Sequence, residues 1–181
     1  ELGDNTAEEL RAAHGDAMIT SIRLETLLLE VIELLEAHDV FPVVIKGPSI
    51  AHLHYPDPSQ RPFGDVDLLV RADEIDRAFD ILQRVGHERH YPEPMRGFDR
   101  RFGKGAAWYT ADGLEIDVHR TFAAGPFGVR VVLPDVFRTV RTLRLAGREL
   151  RVLGGPEMLV SVAMHAVLGA RHSRLLNLRD V

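Results

Sequence analysis

The residues best placed to do chemistry are three aspartates carried on two short stretches of the same design. In Asp65-Val66-Asp67-Leu68-Leu69-Val70 the apolar Val66, Leu68 and Val70 alternate with the other positions, which is the period of a strand. Side chains on a strand alternate faces at roughly 3.3 Å per residue, so Asp65 and Asp67 point the same way, about 6 to 7 Å apart. Leu114-Glu115-Ile116-Asp117-Val118-His119 repeats the pattern, with Glu115, Asp117 and His119 on one face. If the two strands are neighbours in one sheet, Asp117 completes a triad with Asp65 and Asp67. Carboxylates gathered in this way repel one another and resist desolvation, so a shared divalent cation or open solvent must compensate them. Such a triad suits a two-metal site for phosphoryl or nucleotidyl transfer, whose oxygen ligands hold Mg2+ ions about 3.5 to 4 Å apart. The simpler account is a set of solvated carboxylates on the open face of an antiparallel sheet.

A second group of candidates lies just upstream. Phe41-Pro42-Val43-Val44-Ile45 reads as a short buried strand, and Lys46-Gly47-Pro48-Ser49 as the turn from it into a helix through Ile50, Ala51 and Leu53. Proline suits the first turn of a helix, and glycine lets a ligand approach the backbone closely. The N–H groups of a helix start attract phosphate, to which Lys46 adds a charge and the Ser49 hydroxyl a hydrogen bond. The stretch from Tyr55 to Pro62 contains three prolines in eight residues and is expected to be a loop without helix or central strand. Arg61, four residues before Asp65, either solvates that loop, balances the carboxylates or holds a triphosphate.

The elements that must position these residues follow from periodicity. From Thr6 to His38, apolar Leu10, Met18, Ile22, Leu24, Leu27, Leu28, Val31, Ile32, Leu34 and Leu35 recur at helical spacing. Thr6 with Glu9 resembles a capping box, and His14-Gly15-Asp16 is a candidate break. The expectation is two helices, or one bent helix, covering a sheet. Asp73 to Val85 forms an amphipathic helix with Ala72-Asp73 as its cap and Gly86 as its stop, and His87 to Tyr91 a strand. The loop from Pro92 to Lys104 holds a basic cluster of Arg96, Arg100, Arg101 and Lys104, either a solvated surface or a lid over phosphates or an acidic substrate. Ala106–Thr110 and Leu114–Phe122 form a hairpin across Asp112-Gly113, and Leu143–Leu145 and Leu150–Val152 a second hairpin over Ala146-Gly147. Pro156 to Leu168 is a helix, and a further helix begins near Arg171. Its pattern continues to Val181 without a cap, which predicts that the natural protein continues.

Bulk composition excludes several classes. The chain has 181 residues, 45% hydrophobic and 27% charged, which is ordinary for a folded soluble chain and long enough to bury a core. A net charge of −5 gives no bulk attraction to DNA or to anionic membrane. The absence of cysteine removes disulfides, thiolate catalysis and cysteine zinc sites together, and fits a cytoplasmic location. No apolar run approaches the length of a membrane span, and the N-terminus is not a signal peptide. No Gly-x-x-x-x-Gly-Lys loop or Gly-x-Ser-x-Gly elbow occurs. His52 and His54, two apart on a helix, point to different sides, which argues against a shared metal. His119 on the carboxylate face either tunes the site or is structural, and His165 and His172 fit surface or core roles on helices.

Taken in order, a strand, a Lys-Gly turn, a short helix, an Arg-x-x-Gly-Asp-x-Asp strand, a helix, a hairpin and a third acidic strand resemble the nucleotidyltransferase superfamily of DNA polymerase β type. Val44-Ile45-Lys46-Gly47-Pro48, Arg61 to Val70 and Glu115-Ile116-Asp117-Val118-His119 are similar to the bacterial family of uncharacterised nucleotidyltransferases. Gly155-Pro156-Glu157-Met158-Leu159 and His165 are similar to its helical part, so the resemblance runs from about Val43 to the end. The resemblance implies an α/β (α+β) fold with a mixed sheet flanked by helices. It implies Mg2+ or Mn2+ held by Asp65, Asp67 and Asp117, and transfer of an NMP from an NTP, ATP included. Lys46, Gly47, Ser49 and Arg61 are the triphosphate candidates. The superfamily's Gly-Ser after the first strand is replaced here by Lys46-Gly47-Pro48-Ser49, which leaves the phosphate-binding hydroxyl open.

The expected organisation is a helical segment over residues 1–40, a catalytic core over 41–154 and the start of a helical region over 155–181. The acceptor is open among a small molecule, a peptide, an RNA and a protein. Two alternatives stand beside transfer to such an acceptor: a catalytically silent nucleotide- or partner-binding module, and a toxin-like enzyme acting on RNA, since some nucleotidyltransferase toxins share the Lys-Gly start.

Overall fold

The computed structural model describes residues 4–169 and 175–181. Helix α1 runs without a break from Asp4 to Glu36, so the break expected at Gly15 does not occur. A glycine inside a helix costs only about 1 kcal/mol relative to alanine, and Ala12, Ala13 and Ala17 carry the helix through. Thr6 lies inside the helix and not before it, so Thr6 and Glu9 do not mark its entry. From Leu24 onward the predicted face is buried, but Leu10, Met18 and Ile22 are 55%, 39% and 60% exposed. The reason is length: at 1.5 Å per residue α1 extends about 50 Å, whereas a five-residue strand spans roughly 17 Å.

Strand β1 (Val43–Val44) leads into α2 (Pro48–His54), and β2 (Asp65–Leu69) into α3 (Ile75–Arg84), followed by β3 (Glu88–Arg89), α4 (Phe98–Arg101), β4 (Gly105–Tyr109) and β5 (Glu115–His119). Two short helices, α5 (Gly125–Gly128) and α6 (Leu133–Arg138), precede β6 (Arg141–Leu145) and β7 (Arg148–Val152), and the chain closes with α7 (Gly155–Leu168) and α8 (Leu175–Arg179). The loop from Tyr55 to Pro62 contains one turn of 3-10 helix, Pro58–Gln60, capped by the Asp57 carboxylate accepting the Ser59 N–H. Proline forbids a helix interior but suits a first turn, which corrects the expectation of a helix-free loop. The helical pattern expected from Arg171 is present as α8, while Arg171, His172, Ser173 and Arg174 lie outside the described residues.

The seven strands form one mixed sheet in the order β3-β4-β5-β2-β1-β7-β6. The β2 strand is central, parallel to β5 and antiparallel to β1, and β1 is parallel to β7. The β6–β7 hairpin turns through Ala146 and Gly147, both with positive φ, the requirement of a type I′ turn.

Alternation along β2 sorts the two faces. Val66 and Leu68 enter a core shared with Leu24, Leu28 and Val31 of α1 and with Ala78 and Leu82 of α3. Leu69 faces the other way, into a second core with Ile50, Phe122, Val136, Met158 and Val162. Asp65 and Asp67 share the face of Leu69. That face is therefore apolar and closed at one end of β2 and acidic at the other.

Candidate active site

The condition set by the sequence is met. The β2 and β5 strands are parallel neighbours, with Asp65 opposite Glu115, Asp67 opposite Asp117 and Leu69 opposite His119. Ligand atoms of Asp67, Asp117 and His119 all lie within 4.8 Å of one another. Asp65 is outside this group but lines the same cleft as Asp67, a cavity of ≈ 420 Å3 bounded also by Lys46, Gly47, Arg61, Glu115 and His165. Asp117 does not line the cleft wall; it joins the site through Asp67 and His119.

Lys46 lies two residues beyond the end of β1 and is 7% exposed, and Asp67 is 2% exposed. The Lys46 ammonium sits 2.7 Å from Asp67 Oδ1 and donates to His165 Nδ1 at 3.4 Å. His119 is fully buried; its Nε2 donates to the same Asp67 Oδ1 at 2.7 Å and stands 3.1 Å from Asp117 Oδ2. Both neighbours are carboxylate oxygens, so Nε2 carries hydrogen; among the described residues Nδ1 has no hydrogen-bond partner. Lys104 reaches Asp117 Oδ2 at 3.7 Å. Gly47 has φ +56°, and a Cβ there would stand 3.4 Å from the Asp65 carbonyl oxygen. Only glycine adopts that backbone without strain while letting β1 turn so close to β2.

Two triphosphate candidates are engaged otherwise than the sequence suggested. Ser49 is fully buried, and both its N–H and its hydroxyl donate to the Lys46 carbonyl, at 3.2 and 3.1 Å. It shapes the turn and does not face the cleft. Arg61 does line the cleft, but its guanidinium makes a two-point contact with Asp180, Nε to Oδ1 at 3.3 Å and Nη2 to Oδ2 at 2.7 Å. The Tyr55 hydroxyl donates to the same carboxylate at 2.8 Å. His52, by contrast, is committed to Glu25 at 2.7 Å.

The charges are uneven. Burial raises the Asp65 carboxyl to about 6, the Asp67 charge adds to this, and Lys46 offsets part of it. Burial opposes ionisation of Asp67 as well, but the Lys46 charge and the His119 hydrogen bond outweigh it, and its pKa is lowered. Asp117 is lowered too: burial works against its ionisation, and the charge and hydrogen bond of His119, with Lys104 and Lys46, overcome it. Burial opposes the charge on Lys46, yet Asp67 holds its pKa above the usual value. Burial and the Lys46 charge depress His165 to about 4, leaving a neutral ring at pH 7.

The basic cluster is split by the fold. Lys104 alone reaches the carboxylates. Arg96, Arg100 and Arg101 line a larger cavity of ≈ 1090 Å3 with Phe79 and Trp108. Trp108 pairs with Ile116, so its side chain is on the sheet face opposite Asp117. Arg100 is matched there by Asp76 at 3.5 Å, and Arg89 by Asp99. A lid of these arginines over the acidic site is thereby excluded.

His165 and Asp180 are the site residues the sequence reading did not assign. The helical pattern around His165 suggests only a surface or core role, and nothing local ties Asp180 to Arg61, 119 positions away. Glu115 was legible from its place on the acidic face of β5.

Comparison with known proteins gives a consistent picture. A family model described as "uncharacterised nucleotidyltransferase" matches residues 1–181. No curated protein matches. Among solved structures, an antigenic nucleotidyltransferase-like protein from Paracoccidioides brasiliensis is similar with a TM-score of 0.53 and 18% identity, over 89% of this chain and 72% of that one. The lincosamide antibiotic adenylyltransferase LnuA, in its lincomycin-bound form, is similar with a TM-score of 0.51 and 12% identity, over 74% of this chain and 82% of that one. At these identities the likeness is one of fold.

Proposed function

We propose, from the premise that this chain belongs to the uncharacterised nucleotidyltransferase family, that it transfers an NMP from an NTP to an acceptor at the cleft between β1, β2 and β5. The observation that carries this reading is the cross-strand pairing of Asp67 with Asp117 beside the cations Lys46 and Arg61. Residues 41–154 serve as the catalytic core, flanked by the helical segments 1–40 and 155–181.

The donor set fits a divalent cation. Asp65, Asp67 and Asp117 offer hard oxygen ligands suited to Mg2+ or Mn2+, while the Nε2 hydrogen of His119 is directed at the Asp67 and Asp117 carboxylates and orients them. When bound, the cation supplies charge neutralisation at the phosphates and activation of the attacking oxygen. The chain's own residues do the rest. Lys46 provides a mobile point charge, and Arg61 a planar donor held in place by Asp180. Gly47 leaves the backbone open to the phosphates. Phosphoryl transfer demands mostly positioning and charge neutralisation, with little need for a strong general base. For the acceptor, small hydroxylated molecules come ahead of peptides, RNA and proteins, because the lincosamide adenylyltransferase has this fold.

A second reading, a nucleotide-binding module without turnover, is favoured by one observation: Lys46 and His119 already fill Oδ1 of Asp67. Pyrophosphate release from ATP with Mg2+ and a pool of hydroxylated acceptors separates the two. The proposal expects metal-dependent release that Asp67→Asn and Asp117→Asn each abolish while circular dichroism shows an intact fold. Nucleotide binding without release by the unaltered chain would support the silent module instead.

A further inference from the structure

We propose that Lys46 is an internal counter-ion, which holds the metal side of Asp67 until a nucleotide draws it away, so that metal and nucleotide bind cooperatively. The inference rests on the reading of Asp67 as a metal ligand. Asp67 is a buried carboxylate among buried groups, and in the absence of a metal something positive must compensate it. Lys46 does so at 2.7 Å, on the oxygen that His119 Nε2 also occupies at 2.7 Å. That oxygen has two lone pairs and both are taken. A cation bound through the other oxygen would still be separated from the ammonium by no more than the one carboxylate. Two like charges at that distance in a buried site repel strongly. The metal and Lys46 therefore compete for Asp67.

The structure also gives Lys46 a second partner. His165 Nδ1 lies 3.4 Å from Nζ on α7, on the wall of the same cleft, and its ring is neutral and able to accept. A lysine stem has four flexible carbons. Rotation about that stem keeps the bond to His165 while carrying the ammonium from Asp67 towards phosphate oxygens in the cleft. A triphosphate thus removes the competitor of the metal at the same moment that it supplies further ligands, and by linkage the metal must favour nucleotide binding equally. Lys46 is thus a positioning residue whose contact with Asp67 in the metal-free protein sets the order of assembly.

Mn2+ binding, read by electron paramagnetic resonance, tests this on the 181-residue chain, with and without a non-hydrolysable NTP. The proteins compared are the wild type, Lys46→Met, His165→Phe and Asp67→Asn. Without nucleotide, Lys46→Met is expected to bind Mn2+ about tenfold more tightly than the wild type, because a competing charge is gone. His165→Phe is expected to bind it about threefold more weakly, because the displaced lysine has lost its alternative partner. Added NTP raises Mn2+ affinity less in Lys46→Met than in the wild type. Mn2+ affinity in Lys46→Met equal to or below the wild type, with loss of binding in Asp67→Asn, would overturn the role of Lys46 and leave the metal site standing. Failure of every protein to bind Mn2+ even with NTP would overturn the metal reading and this role with it. Should Lys46→Met not fold, His165→Phe decides: unchanged affinity there overturns the proposal.

Discussion

Replacing Asp65 by Asn is expected to stabilise the metal-free protein while removing its activity. Among the described residues no ion pair or hydrogen bond holds the Asp65 carboxylate. Burial and the neighbouring Asp67 charge raise its pKa from the ordinary 3.8 to about 6, against the partial offset of Lys46. Between those two values the native state binds more protons than the unfolded chain, so stability falls as pH rises from about 4 to 6 and is flat above. A shift of about two pH units corresponds to about 3 kcal/mol. Partial exposure of Asp65 screens this to about 1 to 2 kcal/mol. Asparagine carries no charge to desolvate, so Asp65→Asn should be more stable than the wild type by about that amount at pH 7. For a chain of this size that is a rise of about 2 to 8 °C in Tm. Thermal unfolding in EDTA from pH 3.5 to 7.5 measures it, and the difference should vanish below about pH 4. Added Mg2+ should raise the Tm of the wild type and leave that of Asp65→Asn much less changed. An Asp65→Asn protein equal to or less stable than the wild type at pH 7, or a difference that does not vary with pH, would refute the reasoning.

Gly47→Ala places a Cβ in a left-handed conformation and should cost about 1 to 2 kcal/mol in urea unfolding. It should also weaken nucleotide binding, measured by calorimetry, because Lys46 moves with the turn. Asp180→Ala leaves the buried Arg61 guanidinium and the Tyr55 hydroxyl without their acceptor and should destabilise by about 3 kcal/mol. The double change with Arg61→Met should cost less than the sum, since no unpaired charge remains. Removal of divalent metal with EDTA should abolish pyrophosphate release, and added Mg2+ or Mn2+ should restore it.

Much of the site was legible because alternation on a strand leaves few choices. Once Val66 and Leu68 are assigned to a core, Asp65 and Asp67 must share the other face, and the same holds for Glu115, Asp117 and His119. Their meeting depended on strand order, and the parallel pairing of β2 with β5 has no local signal. Ser49 shows the limit of motif reasoning. A hydroxyl after a Gly-Pro turn fits phosphate by type, but hydrogen bonding to the Lys46 carbonyl satisfies it first. The basic cluster from Arg96 to Lys104 looked like one unit in sequence, yet the sheet divides it between two faces. The α1 helix misled for a different reason. Its apolar period runs on through Leu10, Met18 and Ile22, beyond the sheet it covers, and periodicity carries no information about where a partner surface ends. His165 and Asp180 act at long range on Lys46 and Arg61, which no spacing rule reaches.

Whether Asp67 and Asp117 share a metal is tested by the anomalous diffraction of Mn2+ in crystals grown with a non-hydrolysable NTP. A peak is expected within bonding distance of the Asp67 and Asp117 carboxylates, with the triphosphate against Lys46 and Arg61. A triphosphate bound in the cleft with Mn2+ absent from these two aspartates, or bound only elsewhere on the chain, would contradict that expectation.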